Sequence, residues 1–305
     1  MRNLSSFQSF LILIVTLFLA ACSAKTAPTL ESQLMDVVKD AKGDVGIAVI
    51  IDGKDTVTVN NDDVRYPLMS VFKLHQAIAL CAVLDGMSVE IDTLVQIRHG
   101  ELNLQTWSPM LKDYPEGDFS LPMTDLLDYL LLLSDNNVSN ILFDRFCSPE
   151  RTDSIIRRMT GIADFSIRHT EHSMQLDHSL AADNWSSPLA CAALINRVFT
   201  DSLVSPRKQE FLISALKRCE TGRERIPAPF LDNDSITVGH RTGSGYINED
   251  GVIVAVNDVA YITLPDGHSY SLAVLVKDFD GTMEGAERLI ARISATVHGY
   301  VTTAH

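Results

Sequence analysis

The chain has 305 residues, enough for one large domain or two small ones with a sizeable core. Apolar residues make up 46% and charged residues 21%, which excludes a disordered or fibrous chain. Lys and Arg number 25 against 39 Asp and Glu, a formal charge of −14, and without a basic run such a chain is a poor partner for nucleic acid or anionic lipid.

At the N-terminus, Arg2 precedes an apolar run over residues 10–21 that ends in Leu19-Ala20-Ala21-Cys22. Twelve residues at about 1.5 Å each are too short for a bilayer core, so the run reads as the apolar part of a signal peptide. The tetrapeptide resembles a bacterial lipobox, with Cys22 as the acylated first residue of the mature chain. An ordinary small-residue cleavage site is the alternative. Either way, residues 1–21 are a removed signal peptide, and the expected location is periplasmic, with any membrane contact through a lipid on Cys22. Five cysteines are too few for a disulfide scaffold, and Cys81, Cys147, Cys191 and Cys219 read as buried free thiols.

Residues 30–41 form a short amphipathic helix, and 45–51 a strand-like apolar run. Asp52-Gly53 is a hairpin turn signal before a second strand over 55–59. A long section, about 70–216, is helix-rich, and within it the segment 126–133 is apolar on nearly every side and should be buried. Strands return at 235–240, 252–263 and 269–276, with Pro265-Asp266-Gly267 turning between the last two. A helix over 284–298 closes the chain. Strands at both ends with helices between imply an α/β (α+β) fold in one domain spanning 22–305. An antiparallel sheet lobe comes from about 29–66 and 229–305, an all-helical lobe from about 67–228, and the active-site cleft lies between them.

Three short motifs carry chemistry. In Ser70-Val71-Phe72-Lys73 the serine and lysine share one face at a helix start. A desolvated lysine can take the proton that keeps a serine hydroxyl a weak nucleophile. An N-cap serine with a surface lysine is the bland alternative. Ser134-Asp135-Asn136 offers a second hydroxyl to relay a proton and a carboxamide to bind an amide, or else a helix cap. His240-Arg241-Thr242-Gly243-Ser244 ends a strand. There Arg241, Thr242 and Ser244 could bind a carboxylate, and Gly243 could admit a ligand close to the backbone. An edge strand running into a turn is the alternative.

Together, in this order and with 64 and 107 residues between their first, second and third anchors (Ser70, Ser134, Arg241), they resemble the Ser-x-x-Lys, Ser-Asp-Asn and Lys-Thr-Gly motifs of serine β-lactamases and penicillin-binding proteins. Glu171 lies 17 residues before Pro188. That stretch resembles the omega loop of class A β-lactamases, whose glutamate activates the water that hydrolyses the acyl-enzyme. The resemblance implies a β-lactamase/transpeptidase-like fold with a five-stranded antiparallel sheet, and β-lactam antibiotics as substrates. It implies Ser70 as nucleophile, Lys73 or Glu171 as acylation base, and Ser134 as proton donor to the leaving nitrogen. It further implies Asn136 on the substrate amide, Trp107 as a cleft wall, and the Ser70 and Ser244 N–H groups as an oxyanion hole.

Several positions depart from the family pattern. Arg241 replaces the usual lysine. Gln175 stands where an asparagine usually helps hold the water. His169 and Asn184 replace an Arg–Asp ion pair that pins the omega loop, so hydrogen bonds and packing of Trp185 and Met174 must hold it. Gln175, His169 and Asn184, with the Trp-Ser-Pro stretch at Trp107, resemble the Bacteroidetes extended-spectrum cephalosporinases, and Arg225 resembles an alternative arginine that reaches the substrate carboxylate. Ala77 stands where many members carry a bridging cysteine. His169, His172, His178 and Asp177 lack zinc-site spacing, and neither metal nor cofactor is expected. A monomer is expected. The competing readings are a D,D-peptidase or penicillin-binding protein, which Glu171 disfavours, and a non-catalytic binding lipoprotein.

Overall fold

The computed structural model describes residues 28–62 and 64–304. The signal-peptide and Cys22 expectations fall on residues outside this range. Thr29 caps α1 (Leu30–Val38) by accepting the Ser32 N–H. β1 (Asp44–Ile51) and β2 (Asp55–Val59) form a hairpin. Asp52 and Gly53 both take positive φ there, as the tight turn demands. β3 (Tyr66–Pro67) leads through a 3-10 turn at Met69–Val71 into α2 (Phe72–Gly86). The middle of the chain adds β4 (Leu94–Ile97), α3 (Pro109–Asp113), β5 (Phe119–Pro122), α4 (Met123–Leu132), α5 (Asn136–Arg145) and α6 (Pro149–Thr160). It continues with β6 (Phe165–Ser166), α7 (Glu171–Leu176), β7 (Trp185–Ser186), α8 (Pro188–Thr200) and α9 (Pro206–Lys217). The chain closes with β8 (Thr237–Ser244), β9 (Ile253–Thr263), β10 (Ser269–Phe279) and α10 (Met283–Ala304).

The main sheet has order β2-β1-β10-β9-β8 with antiparallel neighbours throughout. Alternate residues of β1 point to opposite faces. Ile47, Val49 and Ile51 join α1 and α10 through Leu30, Leu34, Ile290 and Ile293, while Ala48 and Ile50 join the core that also holds Leu194 and Ile195 of α8. Both faces are covered, which is why β1 reads as a nearly unbroken apolar run instead of an alternating one. The terminal helices α1 and α10 cover one face, and α8 from the middle of the chain covers the other.

The helical lobe also carries two short antiparallel sheets, β3-β7-β6 and β4-β5, which no period-2 signal announces because most of these strands are only two residues long. In α4, Leu126, Leu127, Leu130 and Leu131 are buried, with Asp128 and Tyr129 half-buried. The helix enclosed on nearly all sides is α2, buried almost without break from Phe72 to Leu84. Its start, Ser70 to Lys73, is thereby fixed between the lobes. All four described cysteines are unbridged and buried. Cys81 and Cys191 lie within helices, whereas Cys147 and Cys219 sit in the connections after α5 and α9.

Candidate active site

The chain before Ser70 is clamped from two sides. Asn257, fully buried on β9, donates to the Pro67 and Leu68 carbonyls at 2.7 and 3.1 Å, and the Leu68 N–H donates to the Asn184 carbonyl at 2.7 Å. Met69 then takes φ 45°, a left-handed conformation that a side chain adopts only under such constraint. A Cβ on Gly243 would lie 2.4 Å from the Leu68 carbonyl oxygen. The expectation that Gly243 admits a ligand is therefore corrected. Its bare backbone is occupied by the chain's own Leu68–Val71 segment, which packs β8 against the Ser70 turn.

Around Ser70, two bases converge. Ser70 Oγ donates to Glu171 Oε1 at 3.2 Å, and Lys73 Nζ reaches Ser70 Oγ at 3.2 Å and Glu171 Oε1 at 2.8 Å. The Lys73 ammonium also lies 2.9 Å from the Ser134 carbonyl, 3.3 Å from Ser134 Oγ and 2.6 Å from Asn136 Oδ1. Three N–H groups serve five acceptors, so the bonds are shared and a proton has several short routes. Lys73 is fully buried, and burial lowers its pKa below the ordinary lysine range. Arg241 pushes the same way, and Glu171 and Asp135 oppose both. Lys73 can thus lose a proton far more readily than a surface lysine.

Ser134 lies between α4 and α5 with φ 62°. Asp135 caps α5 through the Val138 N–H and accepts from Ser108 Oγ and the Met110 N–H, so the capping alternative for this motif holds for Asp135 itself. Burial raises the Asp135 carboxyl and these bonds oppose it. Asn136 turns Oδ1 to Lys73 and Nδ2 to Thr106 Oγ1.

Arg241 is fully buried, with Nε on the Ser70 carbonyl at 3.1 Å, Nη1 on the Leu131 carbonyl at 3.0 Å and Nη2 on Ser134 Oγ at 2.8 Å. It does not line the cavity. Its reach supports Ser134 from behind, so its direct contact with a carboxylate is corrected to an indirect one. Arg225 is corrected in the same sense. Its guanidinium is buried on the Gly243 and Asn257 carbonyls, Ser244 Oγ at 2.6 Å and Glu287. Ser244, which is exposed and lines the cavity, accepts from its Nη2. Gln175 spends Oε1 on Asn103 and Nε2 on the Gln105 carbonyl, so it ties two loops together instead of facing Glu171.

The cavity at Ser70 has a volume of about 300 Å³ and is lined by Trp107, Ser134, Asn136, Glu171, Thr242 and Ser244 among others. Trp107 is half-exposed and pinned by Nε1 to the Leu133 carbonyl at 2.9 Å. A second cavity of about 220 Å³ adjoins it and shares Trp107, Asn136 and Glu171. Gln175 and Tyr246 line this second part. Thr221 was passed over in the sequence, yet it lines the main cavity and its hydroxyl meets Thr242 Oγ1 at 2.5 Å. Its only sequence signal was its place just ahead of Arg225.

Glu171 opens α7, where Thr170 accepts the Ser173 N–H. Asn184, fully buried, accepts from the Arg168 and His169 N–H groups at 2.7 and 3.0 Å and donates to the His169 carbonyl at 2.9 Å. Met174 is buried against it, and the Arg65 guanidinium lies 4.5 Å over the Trp185 ring. Hydrogen bonds and packing hold this loop, as expected from the missing Arg–Asp pair. His169 meets Asp183 instead, at 3.1 Å.

A model of the β-lactamase enzyme family matches residues 29–301. A β-lactamase of Phocaeicola vulgatus is 47% identical over 292 residues, covering 94% of this chain and 91% of that one. Among solved structures, the TLA-1 extended-spectrum β-lactamase superposes with a TM-score of 0.85 at 31% identity, covering 89% of this chain and 98% of the other. A class A β-lactamase from Bacteroides cellulosilyticus gives 0.85 at 29%, covering 90% and 97%.

Proposed function

We propose, for a chain that belongs to the class A β-lactamase family and hydrolyses the β-lactam amide, a two-step reaction through an ester on Ser70. Ser70 Oγ attacks the lactam carbonyl as its proton passes to Glu171 or Lys73, each 3.2 Å away. The Ser70 and Ser244 N–H groups hold the oxyanion, an arrangement worth about 3 kcal/mol per donor in comparable enzymes. Ser134 Oγ, between Lys73 Nζ and Arg241 Nη2, delivers a proton to the leaving nitrogen as the C–N bond breaks. Glu171 then takes a proton from the water that cleaves the ester. The substrate carboxylate meets the hydroxyls of Thr221, Thr242 and Ser244, with Arg225 behind Ser244 supplying charge. Asn136 takes the side-chain amide and Trp107 walls the cleft.

One observation carries this reading: a single serine oxygen within 3.2 Å of both a buried lysine and a carboxylate. A site with the lysine alone could be acylated but would lack the second base. In the Glu171→Ala protein, benzylpenicillin should leave a stable penicilloyl adduct, seen by intact mass, with turnover down by about 10²–10⁴. Near-normal turnover would remove Glu171 from deacylation.

The substrate range is proposed to include oxyimino cephalosporins. The omega loop lacks the family's ion pair, and a relative of the same fold carries the name extended-spectrum β-lactamase. A kcat/KM for cefotaxime thousands-fold below that for benzylpenicillin would contradict this. We also propose a monomer exported to the periplasm, with residues 1–21 removed and Cys22 lipidated. This rests on the apolar run and Leu19-Ala20-Ala21-Cys22. Release of the Cys22→Ser protein from the membrane fraction would support it, and unchanged fractionation would contradict it.

A further inference from the structure

A second group of reactive side chains lies outside the hydrolytic scheme. Cys219, just past α9, and His240 on β8 line one cleft. His240 Nδ1 lies 3.0 Å from Asp258 Oδ1 on β9, which leaves Nε2 for the sulfur. The other Asp258 oxygen accepts the Ile226 N–H at 3.0 Å, so the carboxylate is fixed. Nucleophile, imidazole and orienting carboxylate thus stand in the order that activates a thiol.

The surroundings of this thiol differ from those of the others. Burial pushes Cys81 and Cys191 up to about 12, and raises Cys147. Burial acts on Cys219 too, but His240, Arg241 and Thr221 outweigh it and lower the thiol. Burial works against a charged His240, and Cys219 with Asp258 outweighs that, raising the imidazole above its usual range. Cys219 and His240 also line a cleft of about 510 Å³ that shares no lining residue with the Ser70 cavity. Lys217, Arg218 and Arg223 line the same cleft, with one carboxylate, Glu220, beside them. Arg218 pairs with Asp128, while Lys217 and Arg223 make no ion pair among the described residues.

We propose that Cys219 is a modification site for small anionic disulfides, with His240 as its proton partner and Asp258 as the group that orients the ring. The Cys219 sulfur attacks one sulfur of R–S–S–R. A Cys219–S–S–R bond forms as the reagent's S–S bond breaks, and the departing RS⁻ takes the His240 proton to leave as RSH. The disulfide is reduced by two electrons as the thiolate is oxidised, so no further oxidant is needed. Lys217 and Arg223 favour an anionic R group.

Modification should also reach the hydrolytic site, a consequence that rests on the proposed function above. Arg241, next to His240 on β8, holds Ser134 Oγ through Nη2, and the Cys219 sulfur lies 3.4 Å from Thr221 Oγ1, which meets Thr242. An adduct there displaces the support of both.

The full chain, folded and at pH 7, is treated with 5,5′-dithiobis(2-nitrobenzoate), and the labelled peptide is mapped by mass. Cys219 should label at least about tenfold faster than Cys81, Cys147 or Cys191. A neutral disulfide of equal intrinsic reactivity should lose much of that advantage. Cys219→Ser should remove the fast phase and His240→Asn should slow it. Should His240→Asn fail to fold, the pH profile of the unmodified chain decides. Labelling of Cys219 should flatten below pH 8, whereas a tenfold rise per pH unit up to about 8.5 marks an ordinary thiol. A fast phase on another cysteine, or no labelling before unfolding, overturns the proposal. β-Lactam hydrolysis should fall with labelling and become insensitive in Cys219→Ser. Labelling is read without any β-lactam, so its failure is separate from failure of the hydrolytic reading.

Discussion

Two buried nucleophile clusters draw on one strand, and they solve the same electrostatic problem in opposite ways. In the Ser70 cluster, burial dominates the cation and Lys73 is pushed toward its neutral form even with Glu171 2.8 Å away. In the Cys219 cluster, Cys219 and Asp258 outweigh burial at one imidazole, and His240 is pushed toward its charged form although equally buried. Desolvation is the same penalty in both. At Lys73 burial outweighs Glu171, with Arg241 adding to it, whereas at His240 Cys219 and Asp258 together outweigh burial. One cluster therefore prepares a base for a hydroxyl, and the other an ion pair around a thiol.

The largest effect that could break this contrast is loss of the hydroxyl itself. Ser70→Ala should reduce β-lactam turnover to background while leaving the rate of Cys219 labelling unchanged. If Ser70→Ala alters labelling as strongly as hydrolysis, the clusters are not separate.

Next in size is the cation behind Ser244. Arg225→Ala removes charge-assisted bonds worth about 1.5–3 kcal/mol each, so kcat/KM should fall by one to two decades, mainly through KM. Because Arg225 acts through Ser244, a Ser244→Ala background should shrink the effect in a double-mutant cycle. Additive losses would show that Arg225 meets the substrate directly.

A smaller effect separates the loop from the chemistry. Asn184→Ala leaves the Arg168 and His169 N–H groups without an acceptor, at a cost of about 1–3 kcal/mol each at most. Thermal unfolding should shift down, and deacylation should slow more than acylation because Glu171 rides on this loop. Equal slowing of both steps would contradict a loop held by Asn184.

The smallest expected effect is on pH dependence. His75 in α2 is fully buried, its ring tilted against Phe165 with 5.1 Å between centroids, and burial lowers its pKa to about 4. The unfolded chain binds that proton from about pH 6.5 downward, and the folded chain resists it. Stability from this group is complete above pH 6.5 and is lost as pH falls toward 4, about 2 kcal/mol by pH 5. His75→Phe should flatten the melting temperature between pH 7 and pH 5, and an unchanged slope would exclude His75 as the cause.

Much of this was legible in the residues. The β1–β2 and β9–β10 turns could be read from turn chemistry, while Ser70 with Lys73 and Ser134 with Asn136, each weak alone, could be read only as a set whose order resembles the serine β-lactamase motifs. What was missed is non-local. The Asn257 clamp spans about 190 residues, and nothing near position 257 signals it. Arg225 and Arg241 were read as contacts to a carboxylate, but where a guanidinium points depends on carbonyls of Leu131, Gly243 and Asn257 that only the fold assembles. Gly243 was read as space for a ligand because a bare backbone looks the same whether a ligand or Leu68 fills it. Cys219 looked like another apolar thiol until β8 and β9 brought His240 and Asp258 beside it.

The most direct measurement is one peptide map of the folded Glu171→Ala protein after exposure to benzylpenicillin and then to the nitrobenzoate disulfide. The penicilloyl group should sit on the peptide that carries Ser70, and the mixed disulfide on the peptide that carries Cys219. A penicilloyl group on Cys219, or no stable adduct on Ser70, would contradict the division of labour between the two nucleophiles and the deacylating role of Glu171.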